Sequence, residues 1–249
     1  MSWERANTTN LSAPLDNAGA SRKKTLTGSA LSSCVAAAAQ RHGERIALAA
    51  LVHPPIRYSN LFAQVTRTVE MLNRLGIGRD DRVAAVLSGG VTAAAAFLGI
   101  AAGAVCAPLN PCCRDEEFVS LISDLSAKAV IVERDCGSEA VAAANSLSLP
   151  IVELSKEKTG DFVLQGESLA ADPRGGFAEA NETALLLFKS GTTARPKLVP
   201  LTHANLIASA RQIASALELT PIRSRAIRCR RRREKWARWE KPRVLRSRL

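Results

Sequence analysis

From Val83 onward the apolar positions fall into short unbroken runs separated by longer amphipathic stretches. Val83 to Leu87, Ala104 to Leu109, Ala129 to Val132, Pro150 to Leu154 and Ala184 to Phe188 read as strands. Val91 to Ala102, Asp115 to Leu125 and Ser138 to Leu147 read as the helices between the first four of them. Strands that are apolar at consecutive positions must be covered on both faces. Their alternation with helices therefore predicts an α/β fold, a mostly parallel sheet flanked by helices.

The ends of the pattern are less regular. An Ala-rich helix is expected from Ser29 to Arg41 and a strand from Ile46 to Val52. A turn is expected at His53-Pro54-Pro55, with Ile56-Arg57-Tyr58 pairing back as a second short strand. Ser59 suits the N-cap of a helix carrying Leu61, Phe62, Val65, Val69 and Leu72, closed by Gly76 and Gly78. Residues 155–181 mix glycine, proline and charge and read as a connector. Thr202 caps a last helix with the stripe Leu206, Ile207, Ala210, Ile213, Ala214 and Leu217.

Composition sharpens this picture in two places. Only 4% of the 249 residues are aromatic although 47% are hydrophobic, so the core rests on Ala, Val, Leu and Ile, as in helices packed closely on a sheet. The formal charge of +11 is local: residues 221–249 hold eleven Arg, two Lys and two Glu, and the remainder of the chain is balanced. A nucleic-acid reading drawn from the overall charge would describe that tail alone. The uncharged stretch from Ser88 to Cys113 is long enough to cross a bilayer. Its glycines, prolines and small side chains fit a buried helix and strand better than a membrane span. The six cysteines form no C-x-x-C pair and have no histidine at zinc spacing, so free thiols and no structural metal are expected.

Lys189-Ser190-Gly191-Thr192-Thr193-Ala194-Arg195-Pro196-Lys197 follows the last buried strand. Its glycine lets backbone N–H groups approach an anion, its hydroxyls donate to phosphate oxygens and its lysines add charge. It is not a Walker A loop, because Pro196 precedes Lys197 and no helix begins there. Composition alone also fits an ordinary Ser/Thr/Gly surface turn.

Phe188 to Val199, followed by Leu201-Thr202-His203-Ala204-Asn205-Leu206, resembles the signature T-S-G-T-T-G-x-P-K-G-V and L-T-H-x-N-L of the AMP-forming acyl–CoA synthetase superfamily. The resemblance extends upstream. Leu75-Gly76-Ile77-Gly78-Arg79-Asp80-Asp81-Arg82-Val83-Ala84 is similar to G-I-x-x-G-D-R-V-A. Phe97 to Ile100 and Gly103 to Pro111 are similar to F-L-G-I and A-G-A-V-x-x-P-L-N-P. Within the superfamily, Ala107 to Asn110, Asp115 to Phe118, Ser123-Asp124 and the Arg195-Pro196-Lys197 run followed by Val199 to Thr202 look most like oxalate–CoA ligases and related peroxisomal CoA synthetases.

The resemblance implies ATP-dependent adenylation of a carboxylic acid, then thioester formation with CoA. It implies that Ser190, Gly191, Thr192, Thr193 and Lys197 hold the β- and γ-phosphates of ATP, with Mg²⁺ nearby, and stabilise departing pyrophosphate. Lys189 stands where the family has Thr, Ala194 where it has Gly, and Leu198 where it has the Gly after the lysine. His203 tempts as a base, but its place in a helix's first turn predicts a capping or surface role.

Past Ile222 the resemblance ends. The family's adenine-, ribose- and acid-binding segments and its C-terminal domain with the catalytic lysine have no counterpart, so no catalytic residue is assigned. The expected organisation is a disordered segment at 1–28, a partial AMP-binding domain at 29–222 and an Arg-rich tail at 223–249, disordered or out of frame. The expected function is that of a truncated ligase inactive alone. One alternative is an interaction half-domain that pairs with a full-length relative. Another is nucleic-acid binding through the tail, with Trp236 and Trp239 as stacking groups. The arginine-dominated composition argues against the last. Ser247-Arg248-Leu249 resembles a peroxisomal address, which leaves a cytoplasmic or peroxisomal location.

Overall fold

A computed structural model describes residues 29–219 except 52, 158–159, 169–173 and 190–196. The segments expected to be disordered or tail-like, 1–28 and 223–249, lie outside the described residues.

The order of elements is α1 (Leu31–His42), β1 (Ile46–Ala50), β2 (His53–Arg57), α2 (Tyr58–Arg74), β3 (Arg82–Val86), α3 (Gly90–Gly103), β4 (Val105–Leu109), α4 (Asp115–Leu125), β5 (Ala129–Glu133), α5 (Ser138–Ser146), β6 (Ile151–Lys156), β7 (Phe162–Gln165), β8 (Thr183–Lys189), β9 (Lys197–Thr202) and α6 (His203–Ala216). Among the described residues, seven strands form one sheet in the order β7-β6-β5-β3-β4-β8-β9. The five central strands are parallel, whereas β7 and β9 run antiparallel to their neighbours. The predicted α/β fold with a mostly parallel sheet is therefore observed. Among the described residues no helix is long and apolar enough to cross a membrane.

The unbroken apolar strands serve two cores at once. On β3, Val83 and Ala85 pack with Leu72, Ile100 and other residues of α2 and α3. The alternate residues Ala84 and Val86 pack with Phe118, Ile122 and Leu125 of α4 and with α5. Period-two side-chain alternation on a sheet covered on both faces produces this division. The alanine-rich composition has a counterpart in the seam between α2 and α3. A Cβ added to Gly99 would lie 2.7–2.8 Å from side-chain atoms of Thr68, so the two helices meet without an intervening side chain.

Three expectations change. His53-Pro54-Pro55 lies within β2 rather than forming a turn. This strand has one partner, β1, and a proline's missing N–H is tolerated on a free edge. Ser59 is not an N-cap: α2 begins at Tyr58 with Arg57 at the cap position, and the Ser59 hydroxyl instead donates to the Gly43 carbonyl at 3.1 Å. The connector at 155–181 contains a strand, β7, which buries Phe162 and Leu164 and pairs with β6. The buried Gln64 amide donates to the Phe162 carbonyl at 3.0 Å, tying this strand to α2.

Candidate functional site

Segment 190–196 joins β8 to β9, which pair from Thr183↔Thr202 to Lys189↔Lys197. Because β8 is parallel to β4, its last residue, Lys189, lies at the carboxyl edge of the parallel strands. The turns after β3, β4 and β5 open on the same edge, where open α/β sheets bind ligands. Ser190, Gly191, Thr192 and Thr193 lie outside the described residues. Lys197 is described: it is the exposed first residue of β9, directly across from Lys189.

The hairpin is held by its apolar residues. Leu186 is buried, and Phe188 and Leu198 pack against the core on the α4 and α5 side. At its far end, Thr202 caps α6 as expected: its hydroxyl accepts from the Asn205 N–H at 3.2 Å, while the Asn205 side chain accepts from the Thr202 N–H at 3.0 Å. The predicted stripe on α6 is only partly buried. Ile207 is covered, but Ile213 is 52% exposed and Leu217 38%.

His203 is fully buried rather than on the surface. Its Nδ1 accepts the Leu31 N–H at 3.2 Å, so it satisfies an end group of α1 instead of capping its own helix. Burial holds its pKa below the usual value, against an opposing pull from Glu182. The ring is therefore neutral near pH 7. It also lies just beyond the end of β9 opposite Lys197, about 20 Å away at the rise of an extended strand, which removes it from phosphate chemistry at Lys197.

The carboxyl edge contains a further arrangement that sequence reading did not find. Glu133, the last residue of β5, is buried, and its Oε2 accepts from the Ser88 N–H at 2.9 Å and the Ser88 hydroxyl at 2.6 Å. The Lys156 ammonium pairs with the other carboxylate oxygen. Burial acts to raise the Glu133 carboxyl, but Lys156 and the two Ser88 donors outweigh it and hold it below its ordinary value of 4.5. The chain leaves β3 and β5 toward different helices, so this bridge fastens the turn at the point where strand order reverses. Gly89 and Gly90 follow it with φ of +88° and open space where a Cβ would stand. Charge in scattered one-residue positions carries no periodic signal, which is why Ser88, Glu133 and Lys156 could not be associated beforehand.

The Glu133 contribution should follow pH. It is fully present above the ordinary carboxyl value of 4.5 and is lost as pH falls through the lower folded value. Glu133→Gln is expected to cost about 1 kcal/mol at pH 7. The gap between wild type and variant should close on acidification below pH 4.5 in urea-unfolding curves. A gap independent of pH would contradict the assignment.

Among the described residues no group of three or more His, Cys, Asp or Glu side chains is placed to hold a metal ion. Cys34, Cys106, Cys112, Cys113 and Cys136 are free thiols. Burial pushes the Cys106 thiol up to about 12 and raises Cys113 and Cys136 as well, so these three have little thiolate character.

Comparison with known proteins agrees with this architecture. The profile of the family described as AMP-binding enzyme matches residues 35–228. The chain is 32% identical over 171 residues to the oxalate–CoA ligase of Saccharomyces cerevisiae, covering 58% of this chain and 31% of that protein. It is 33% identical over 162 residues to the oxalate–CoA ligase of Arabidopsis thaliana, covering 63% and 32% respectively. It thus spans about a third of the length of these curated relatives. Among solved structures, ATP-bound MatB from Rhodopseudomonas palustris superposes with a TM-score of 0.62 at 24% identity, covering 78% of this chain and 39% of that one. The apo structure of Mycobacterium smegmatis MbtA gives 0.60 at 28% identity, covering 77% and 37%. With the profile matched over most of the chain, from α1 through the hairpin and α6, the protein belongs to the AMP-binding enzyme family.

Proposed function

We propose that the chain is the phosphate-holding front part of an AMP-forming acyl–CoA ligase and does not complete that reaction by itself. The position of the β8–β9 hairpin supports this reading: Lys189 and Lys197, which flank the Ser/Thr/Gly segment in sequence, lie at the edge of the sheet where open α/β folds bind ligands. Ser190, Gly191, Thr192, Thr193 and Lys197 take the β- and γ-phosphates of ATP in this proposal. Mg²⁺ is the cation that the family resemblance implies, and no residue of this chain is proposed to hold it. CoA and a carboxylic acid are the remaining substrates of the whole reaction. Oxalate is the acid to test first, given the two relatives named for it.

The proposed domain is 29–222, with 223–249 a basic tail. The proposed location is cytoplasmic or peroxisomal. A second reading, a half-domain that pairs with a full-length relative, is favoured by the exposed Ile213, Leu217 and Leu219 in and just after α6.

Titration of the protein with ATP, GTP and inorganic triphosphate tests phosphate holding. The three affinities are expected to agree within roughly threefold, which is less than 1 kcal/mol. Lys197→Ala should weaken all three about tenfold, the loss of one charge-assisted hydrogen bond. A strong preference for ATP would show a base site and contradict the proposal.

A further inference from the structure

Lys189 and Lys197 are directly opposed in the register of β8 and β9. Directly opposed residues of an antiparallel pair project from the same face with Cβ atoms about 5 Å apart. Like charges in that position repel, and the hairpin has nothing to gain from the pair as a fold. Neither lysine has an ion-pair partner among the described residues. Both are exposed, so neither stem is needed by the core. The next pair inward, Phe188↔Leu198, packs against the core on the α4 and α5 side. Side chains alternate along a strand, so the two lysines leave the hairpin from the other face, opposite each other at the strand ends that flank residues 190–196.

We infer that Lys189 and Lys197 form a two-ammonium clamp that takes a polyphosphate free of divalent cation. This inference rests on the reading of the hairpin as a phosphate-binding element and adds a second residue and a ligand state to it. A triphosphate carries its negative charge on successive phosphoryl groups. One ammonium neutralises one group, and a divalent cation ordinarily screens the rest. Two ammonium groups at cross-strand spacing reach neighbouring phosphoryl groups and take over part of that screening. The anion in turn removes the repulsion between them. The pair is therefore least stable empty and most stable filled, and binding and hairpin stability are linked through the same two charges.

The experiment compares wild type, Lys189→Thr and Lys189→Arg at low ionic strength. Inorganic triphosphate is the ligand, in the presence of chelator or of excess Mg²⁺. Affinity is read by titration calorimetry and stability by thermal melting. Without ligand, Lys189→Thr is expected to melt about 1–3 °C above wild type, because the repulsion is gone. With chelator, it should bind triphosphate about tenfold more weakly than wild type, and Lys189→Arg should bind nearly as well as wild type. With Mg²⁺ the difference between Lys189→Thr and wild type should shrink to about twofold or less. Equal affinity of wild type and Lys189→Thr in chelator would overturn the clamp while leaving phosphate binding at Lys197 intact. An equal loss in chelator and in Mg²⁺ would also overturn it, since Lys189 would then not be replacing a cation. Absence of triphosphate binding by wild type would overturn the underlying reading as well.

Discussion

Gly99→Val is expected to destabilise the protein by about 3 kcal/mol, the upper part of the usual range for overpacking a core. The melting midpoint should fall by roughly 6–12 °C for a protein of this size. The reason is the contact between α2 and α3. A Cβ at position 99 would meet the Cβ, Oγ1 and Cγ2 atoms of Thr68 at 2.7, 2.7 and 2.8 Å. Thr68 cannot swing away, because it is fully buried and β-branched and its hydroxyl donates to the Gln64 carbonyl at 2.7 Å. Gly103, one turn further on, would place a Cβ 3.0 Å from Val69, so the helices cannot tilt to make room at one end without closing at the other. Ala94 is an exposed position of the same helix and provides the control. Ala94→Val should cost only the difference in helix propensity, about 0.6 kcal/mol. Equal melting of the two variants would mean that α2 and α3 do not approach as described.

Gly99 also shows why part of the fold was legible in advance. Its neighbours Phe97, Leu98 and Ile100 belong to an uncharged Ala-rich run, and a chain with so few aromatics must bring its helices close to fill a core. The parallel strands could be read for a related reason. Val83 to Val86 and Ala129 to Val132 are apolar at every position because helices cover both faces, and that pattern does not depend on any distant residue. Strand β7 could not be read in this way. Phe162-Val163-Leu164-Gln165 is four residues long and set among charges and glycines, and its place is determined by β6 and by Gln64. The prolines of β2 misled because a turn and a free-edge strand both accept them.

The candidate site was legible as a segment and not as a geometry. The Ser/Thr/Gly composition and its flanking lysines were visible in the chain, but their opposition across a hairpin follows only from the register. His203 was read from helix position alone. The Leu31 N–H that it accepts comes from a residue at the start of α1, and nothing local to residue 203 announces that partner. The Glu133–Ser88–Lys156 bridge likewise joins three elements.

The second large effect concerns catalysis. Adenylation requires three ligand regions at once: the phosphates must be held, the base and ribose anchored, and the carboxylate aligned on the α-phosphorus. Aligning reactants supplies about 7–11 kcal/mol of a barrier, so a protein that holds only the phosphates forgoes most of the acceleration. Beyond Lys197 the described elements are β9 and α6, and the buried His203 lies at the far end of β9 from Lys197. The chain spans about a third of its curated relatives. The most direct measurement is acid-dependent exchange of labelled pyrophosphate into ATP by the purified chain, with oxalate and a panel of fatty and aromatic acids, beside a Lys197→Ala control. The account predicts exchange equal to that control for every acid, while triphosphate still binds; exchange clearly above the control with any acid would contradict it.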